Sequence, residues 1–335
     1  MEENKKTKKG LPLWLKVLLI ILVIFILLIV GVVSVGWWFV NSKLDSMDYV
    51  DLSANEIEVN SEVTENTNAN INEYRNIALF GIDARSDTFS GSRSDCIIIV
   101  SINNITKDVK LLSVYRDTYL NIDGHGLDKV THAYAYGGPR LSLSTLNKNL
   151  DLNITEFVTV NFETVKTVVD SIGGVNITVT DEEASKIPGI SSAGTYNLNG
   201  NQALTYSRIR KIDTDYKRTE RMRTVLNAIF TKVKSLNLAE LNNLVDVVLP
   251  HVSTNISKNE IINLLPSVIS YNITDSEGWP YNVKGITLSA WYGVPVTLEE
   301  NVKKLHGELF GETDYQPSST VKEISNSIIQ KTGYR

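Results

Sequence analysis

Residues 76–118, NIALFGIDARSDTFSGSRSDCIIIVSINNITKDVKLLSVYRDT, decide the fold predicted for this chain of 335 residues. Short apolar runs of the kind that begins here lie at 76–82, 96–102, 110–115, 156–161 and 203–209. Their β-branched residues, without polar alternation, are typical of strands covered on both faces. Helical spacing lies at 162–172 and 215–236. The mixture predicts an α/β or α+β sandwich, and we take the α/β form, a central mixed sheet sandwiched by helices.

The chain upstream of this stretch contains an apolar segment, residues 17–40, of 24 positions without a charge. As a helix it would span about 36 Å, enough for the ~30 Å hydrocarbon core of a membrane. A cleaved signal peptide is the alternative, but its apolar region would be about 7–15 residues long and followed by a small-x-small cleavage site. Five lysines within residues 1–16 favour a cytoplasmic N-terminus. The sequence therefore predicts a single-pass type II membrane protein with a cytoplasmic tail, a transmembrane helix and an extracellular body.

Residues 41–75 are acidic and polar, which predicts an extracellular stalk in the form of an extended tether. Within it, EIEV at 56–59 could pair as a short strand. The catalytic core is predicted over 76–235, and 236–335 is predicted as the C-terminal part of the same extracellular domain.

Several classes of protein are excluded by composition and missing motifs. The formal net charge is −5 and there is one cysteine, which exclude a generally basic nucleic-acid binder, a disulfide framework and a multi-cysteine metal site. The sequence contains no GxxxxGK[ST], HExxH or GxSxG motif. Cys96 begins an apolar run, so we interpret it as a buried small hydrophobic residue rather than a nucleophile.

A dense basic group lies in segment 207–223, SRIRKIDTDYKRTERMR, where seven of seventeen residues are basic. A solvated basic face is the ordinary interpretation of such a run. The apolar stripe of the following helix is Met222, Val225, Leu226, Ile229, Phe230 and Val233. Arg218 and Arg221 precede the first two of these by four positions, so they extend the inward face of the helix, whereas Arg223 is predicted to point away.

Inward-facing arginines need anionic partners, because an unpaired buried charge is very costly. Thr214 and Asp215 both suit an N-cap, and helix N-termini also favour anions. Arg208 and Arg210, two apart at the end of the predicted strand 203–209, share one face of it. An internal salt-bridge network is the alternative, but four arginines aimed at one place outnumber the local carboxylates. We therefore predict an anion site.

Acidic residues lie at the ends of the three strands predicted within 76–118. They are Asp83 in GIDARSD (81–87), Asp95 in GSRSD (91–95) and Asp117 in YRDT (115–118), each near an arginine, namely Arg85, Arg93 and Arg116. Charged residues at strand ends are where α/β sheets build ligand sites. Aspartate oxygens suit a hard divalent cation, and arginine forks bind phosphate bidentately. The combination predicts a site for pyrophosphate and a metal ion.

The order of the motifs is itself informative. Along the chain they are GIDARSD, GSRSD, YRDT, THAYAYGG (131–138), GGV (173–175), LNGNQALTYSRIRK (198–211) and D-x-x-R-x-x-R (Asp215, Arg218, Arg221). In this order they resemble the LytR–CpsA–Psr (LCP) family of cell envelope phosphotransferases of Gram-positive bacteria. The resemblance covers about 76–235, is looser over 236–335, and agrees with the anchor-plus-stalk layout.

The resemblance implies an enzyme that transfers a glycopolymer, of wall teichoic acid or capsule type, from undecaprenyl pyrophosphate to peptidoglycan as a phosphodiester. Lipid phosphate is released. The implied partners are the polyprenyl-pyrophosphate-linked glycopolymer, the peptidoglycan acceptor and the membrane, with no nucleic acid. By motif, Asp83 and Asp95 would hold Mg²⁺ or Mn²⁺. The implied pyrophosphate-binding residues are Arg85, Arg93, Arg116, Arg208, Arg210, Arg218 and Arg221. The implied lipid tunnel is lined by Val225, Leu226, Ile229 and Phe230, and the implied catalytic residues are Arg116, Arg218 and Asp95.

Some features of the implied mechanism stay open. Asp95, Asp83 and Asp117 are all candidates for the general base. The chain has Lys217 where relatives usually have glycine and Met222 where they commonly have glutamine. Two other functions remain: hydrolysis of a polyprenyl pyrophosphate with water as acceptor, and an envelope-linked transcription attenuator, although the sixteen-residue cytoplasmic tail offers no helix-turn-helix.

Overall fold

The described residues of the structure, a computed structural model, are 47–66, 69–83, 89, 91–209, 212–257, 259–261 and 270–335. The predicted tail and transmembrane helix, 1–40, lie outside them, as do Arg85 and Arg210. Over the described ranges, no helix combines the length and the apolar character needed to cross a membrane.

A central mixed sheet organises the fold. The strands of the described residues are β1 Asp48–Tyr49, β2 Tyr74–Ile82, β3 Ser94–Asn103, β4 Asp108–Val114, β5 Tyr119–Ile122, β6 Gly126–Lys129, β7 Glu156–Asn161, β8 Val175–Val179, β9 Gly194–Leu198, β10 Val252–Thr254, β11 Asn272–Trp279, β12 Val283–Thr287 and β13 Trp291–Pro295. Seven of them form the sheet in the order β1-β10-β7-β2-β3-β4-β11, and β5-β6, β8-β9 and β12-β13 are separate hairpins. β2, β3 and β4 pair antiparallel, while β2 with β7 and β4 with β11 pair parallel. The predicted α/β fold with a mixed sheet is confirmed.

Helices cover both faces of this sheet. They are α1 Ser61–Glu65, α2 Val130–Leu150, α3 Phe162–Ser171, α4 Asp181–Ala184, α5 Gly200–Ser207, α6 Asp215–Val233, α7 Leu238–Val248, α8 Leu298–Phe310 and α9 Ser319–Thr332. Phe80 and Ile97 lie in a core cluster with residues of α2, α8 and α9. Cys96 and Ile98 lie on the opposite face, in a cluster with residues of α3 and α6. Burial on both faces explains why these strands are continuous apolar runs.

The helices predicted at 162–172 and 215–236 are confirmed as α3 and α6, but the strand predicted at 203–209 is wrong. This segment belongs to α5, which begins with a capping box. The side chain of Asn199 accepts a hydrogen bond from the backbone N–H of Gln202, whose own side chain accepts one from the backbone N–H of Asn199. Such reciprocal caps satisfy N–H groups that the first helical turn leaves unpaired, so they override a short apolar run.

The described residues of 47–75 are folded into the domain rather than forming an extended tether. Ile57, Val63 and Ile71 are buried in the same core cluster as the α2 face of the sheet. Burial of such side chains removes apolar area from water at about 25 cal/mol per Å², which outweighs the polar composition of the segment. The tether prediction is therefore wrong for these residues, and 56–59 is not a strand.

Candidate functional site

Two carboxylates, those of Asp83 and Asp95, lie where β2 ends and β3 begins. The register pairs Gly81 with Cys96 and Ile82 with Ser94, which leaves Asp95 as the extra residue of a bulge. Bulges re-aim side chains and are over-represented beside active sites. Asp83 follows β2 directly, so both aspartates lie at the same edge of the sheet, as predicted from their positions at strand ends.

Arginines that follow β4 and α5 reach these carboxylates. Nη1 of Arg116 donates to Oδ1 of Asp95 at 2.9 Å, and Nε of the same guanidinium lies 3.4 Å from Oδ2 of Asp117. Nη2 of Arg208 donates to Oδ2 of Asp83 at 3.0 Å. The tertiary structure therefore brings together two of the predicted arginines with both predicted metal ligands.

The N-terminal turns of α6 place a third arginine near this edge. Thr214 is the N-cap, because its side chain accepts a hydrogen bond from the backbone N–H of Lys217 at 3.4 Å. One turn later Arg218 is almost fully buried. Burial raises the pKa of the Cys96 thiol to about 12, and the charges of Arg218 and Arg223 oppose that rise. Cys96 is thus a buried thiol, as predicted, and Arg218 lies close to the strand that carries Asp95.

Arg221 faces inward, as predicted, but its guanidinium is engaged within the protein. Nε donates to Oε1 of Glu183 at 2.7 Å, Nη2 donates to Asp213, and Nη1 donates to the carbonyl oxygen of Ile209 at 3.3 Å. For Arg221, therefore, the alternative interpretation is the correct one: its guanidinium group belongs to an internal salt-bridge network. The two acids come from α4 and from the loop before α6, which the local sequence does not bring together.

Two other arginines, Arg93 and Arg223, differ in how far the protein buries them. Arg93 is exposed just before β3. The prediction that Arg223 points away from the protein is wrong, because Arg223 is buried and its Nη1 has no hydrogen-bond partner among the residues that the structure describes. α6 lies between β11 and β8, so it is covered on more of its circumference than an apolar stripe indicates. Burial lowers the pKa of Arg223 below its ordinary value.

An apolar cavity of ≈ 190 Å³ lies between the sheet and the helices, beside these arginines. Residues of β2, β3, α3 and α6 line it, among them Leu79, Ile98, Phe162, Val225, Leu226 and Ile229. Three of the four side chains predicted for the lipid tunnel are thus in its wall, whereas Phe230 is not among the lining residues. The guanidinium carbon of Arg208 lies 5.4 Å from the ring centroid of Phe162, so charge and apolar wall are adjacent.

The donor set at the sheet edge is compatible with a divalent cation that keeps most of its water. Among the described residues, no group of three or more His, Cys, Asp or Glu side chains is arranged to hold a metal ion. Asp83 and Asp95 are the two carboxylates at this edge that could hold such an ion, with water and phosphate oxygens completing the shell. This is the coordination that Mg²⁺ usually adopts with phosphate substrates.

Fold and site together define an α/β protein in which an apolar cavity lies next to guanidinium and carboxylate groups at one edge of the central sheet. Comparison with known proteins agrees: the sequence matches the LytR_cpsA_psr family over residues 38–306. The chain belongs to this family, the LytR–CpsA–Psr family, and is a phosphotransferase.

Named relatives specify the class further. The chain is 31% identical to the polyisoprenyl-teichoic acid–peptidoglycan teichoic acid transferase TagU of Oceanobacillus iheyensis over 94% of this chain and 98% of that protein. It is 36% identical to the corresponding transferase TagT of Bacillus subtilis, over 63% and 70% respectively. A solved structure of TagT with bound octaprenyl pyrophosphate lipid is similar at a TM-score of 0.59 and 30% identity, covering 78% of this chain and 99% of that one.

Proposed function

We propose that this enzyme transfers a glycopolymer of wall teichoic acid or capsule type from undecaprenyl pyrophosphate to a hydroxyl group of peptidoglycan. The hydroxyl oxygen forms a bond to the polymer-side phosphorus, the bond from that phosphorus to the bridging oxygen breaks, and undecaprenyl phosphate leaves. The observation that carries the proposal is the apolar cavity whose wall residue Phe162 lies against the guanidinium group of Arg208. TagT, which binds octaprenyl pyrophosphate, has the same fold.

The arginines supply the main catalytic effect in this scheme. Phosphoryl transfer depends chiefly on positioning and on charge placed where it develops, at the bridging and equatorial oxygens. Arg116, Arg208 and Arg218 present fixed positive charge at the edge of the sheet. The proton of the attacking hydroxyl passes to a carboxylate there, for which Asp83, Asp95 and Asp117 are the candidates.

A Mg²⁺ ion, or Mn²⁺ in its place, would be held by Asp83 and Asp95 and would supply further positive charge to the phosphate oxygens. These two carboxylates also pair with Arg208 and Arg116. Arg208 and Arg116 would therefore lie beside the cation, where they could bind oxygens of the same phosphate groups.

We further propose that residues 17–40 anchor the protein in the cell membrane and that the catalytic domain lies outside the cell. The charge-free apolar segment and the N-terminal lysines support this orientation. The pyrophosphate bond of the donor is the energy source, so the reaction requires no ATP.

Labelled lipid-pyrophosphate glycopolymer, supplied with and without peptidoglycan, tests the proposal. We expect label to enter peptidoglycan and lipid phosphate to appear only when the acceptor is present. Release of polymer phosphate at equal rates in both reactions would establish hydrolysis instead. Arg208→Ala serves as the inactive control for label that adheres to peptidoglycan without reaction.

A further inference from the structure

A cluster of aromatic and polar side chains lies on the β5–β6 hairpin and the first turns of α2. Tyr136 is 46% exposed, and the ring of His125 stacks on it with centroids 4.0 Å apart and planes 12° apart. The phenolic oxygen of Tyr136 donates to Oδ2 of Asp128 at 2.8 Å, and Nδ1 of His132 lies 2.8 Å from the same oxygen. We call these four residues the hairpin cluster.

The hydrogen bonds give the hairpin cluster a defined orientation. Burial alone would raise the pKa of Asp128, but the hydrogen bonds from His132, the backbone N–H of Lys129 and Tyr136 hold it below its ordinary value. In the neutral tautomer of His132 whose Nδ1 donates to this carboxylate, Nε2 is an acceptor. Nε2 has no hydrogen-bond partner within the part of the chain that the structure describes. The cluster thus presents the aromatic face of Tyr136 beside an imidazole held in place by Asp128.

The hairpin cluster is connected directly to the site described above. Nζ of Lys129, the residue after Asp128, lies 2.7 Å from Oδ1 of Asp117. Asp117 in turn pairs with Arg116. At the start of α2, the hydroxyl of Thr131 donates to the carbonyl oxygen of Ser94 at 2.9 Å, beside Asp95.

The hairpin cluster and the apolar cavity belong to opposite faces of the sheet. Cys96 and Ile98 of β3 line the cavity. Ile97 points to the other face, where it shares a core cluster with Tyr134 of α2. In phosphoryl transfer the attacking and leaving oxygens are roughly in line with phosphorus. A lipid phosphate that leaves toward the cavity therefore requires its acceptor to approach from the face that carries α2.

We propose that the hairpin cluster is the acceptor subsite and binds a pyranose ring of the peptidoglycan glycan strand. The inference rests on the proposed function and names the site of its second substrate. The apolar face of the sugar stacks on the exposed ring of Tyr136, which His125 supports from its other side, as aromatic rings do with apolar partners. Nε2 of His132 accepts a hydrogen bond from a sugar hydroxyl, and Asp128 is a positioning residue that holds both side chains.

Steady-state transfer by the full-length chain, with donor and acceptor varied separately, tests this assignment. We expect Tyr136→Ala to raise KM for peptidoglycan about tenfold. The variant loses the stacking contact with the sugar and the hydrogen bond to Asp128 that helps to orient the site, and together these are worth roughly a factor of ten in affinity. KM for the lipid donor should not change. Tyr136→Phe keeps the ring and loses the hydrogen bond to Asp128, so its KM for peptidoglycan should lie between those of the wild type and Tyr136→Ala. Tyr49→Ala is the matched control, because Tyr49 is 48% exposed on β1 at the edge of the sheet.

Binding of a soluble peptidoglycan disaccharide, followed by saturation-transfer NMR, separates this inference from the proposed function. Loss of disaccharide binding in Tyr136→Ala and His132→Gln supports the acceptor subsite even if no transfer is detected in any variant. A wild type that transfers, together with an unchanged acceptor KM in Tyr136→Ala, would overturn it. If Tyr136→Ala raises KM for the lipid donor alone, the cluster binds the sugars of the donor, and the acceptor-subsite assignment is likewise overturned.

Discussion

Replacing Arg208 with alanine should remove transfer activity while leaving the fold almost as stable. The perturbed pair joins Nη2 of Arg208 to Oδ2 of Asp83 at 3.0 Å, and the two side chains are 39% and 51% exposed. Ion pairs that are this exposed contribute about 0–1 kcal/mol to the free energy of unfolding. An arginine that stabilises a phosphoryl-transfer transition state contributes ~10³–10⁵ in rate, and with ~1.4 kcal/mol per tenfold this is ~4–7 kcal/mol. The catalytic effect should therefore exceed the effect on stability severalfold.

The assay has two arms. Transfer of labelled glycopolymer is measured at saturating peptidoglycan, and urea unfolding of residues 47–335 is followed by circular dichroism. Arg208→Lys is the matched variant, since it keeps the charge but not the bidentate fork, and should retain intermediate activity. The reasoning is refuted if Arg208→Ala transfers within about tenfold of the wild type, or if it loses about 3 kcal/mol or more of stability, the size typical of a broken buried pair.

Three further outcomes are expected. Arg221→Ala should lower the free energy of unfolding by ~3–5 kcal/mol in urea titrations, because it leaves two carboxylates without their buried partner; a loss as small as that of Arg208→Ala would contradict this. Asp83→Ala should lower the Mg²⁺ dependence of transfer across a metal titration, and an unchanged metal response would exclude the assigned ligand pair. Hydrogen bonds from the hydroxyl and backbone N–H of Ser319 lower the pKa of Glu62 from 4.5 to about 2. A carboxyl group whose pKa is lower in the folded than in the unfolded protein stabilises the fold at pH values above its unfolded pKa. The free energy of unfolding of the wild type should therefore exceed that of Glu62→Gln fully above pH 4.5, and this difference should disappear as the pH falls toward 2. A difference that does not change with pH would disprove the prediction.

The elements that could be predicted are those whose pattern is local. The run at 96–102 is β-branched and apolar throughout, and the stripe from Met222 onward repeats with helical period, so β3 and α6 follow from backbone geometry and burial. The run at 203–209 has too few residues to distinguish a strand from a buried helix. The capping box formed by Asn199 and Gln202 is the sequence signal that indicates a helix here.

The candidate site divides in the same way. Asp83 and Asp95 could be found because they follow or precede strands that end at one edge of the sheet. The partners of the arginines could not be predicted, since Arg221 pairs with one acid from α4 and one from the loop before α6. Arg223 likewise is buried on a helix that packs against β8 and β11, which lie far from it in sequence. The apolar residues of 47–75 are scattered through a polar segment, so the sequence pattern did not indicate that they are part of the core.

The sequence by itself determined the class of fold, the residue types that can bind a diphosphate, and the order of motifs by which the family is identified. Only the tertiary structure decided which arginines are paired within the protein and which lie beside the cavity, and on which face of the sheet each group stands. The physical reason is that periodicity and capping act over a few residues of backbone. The partner of a charge, in contrast, depends on loops brought together from distant parts of the chain.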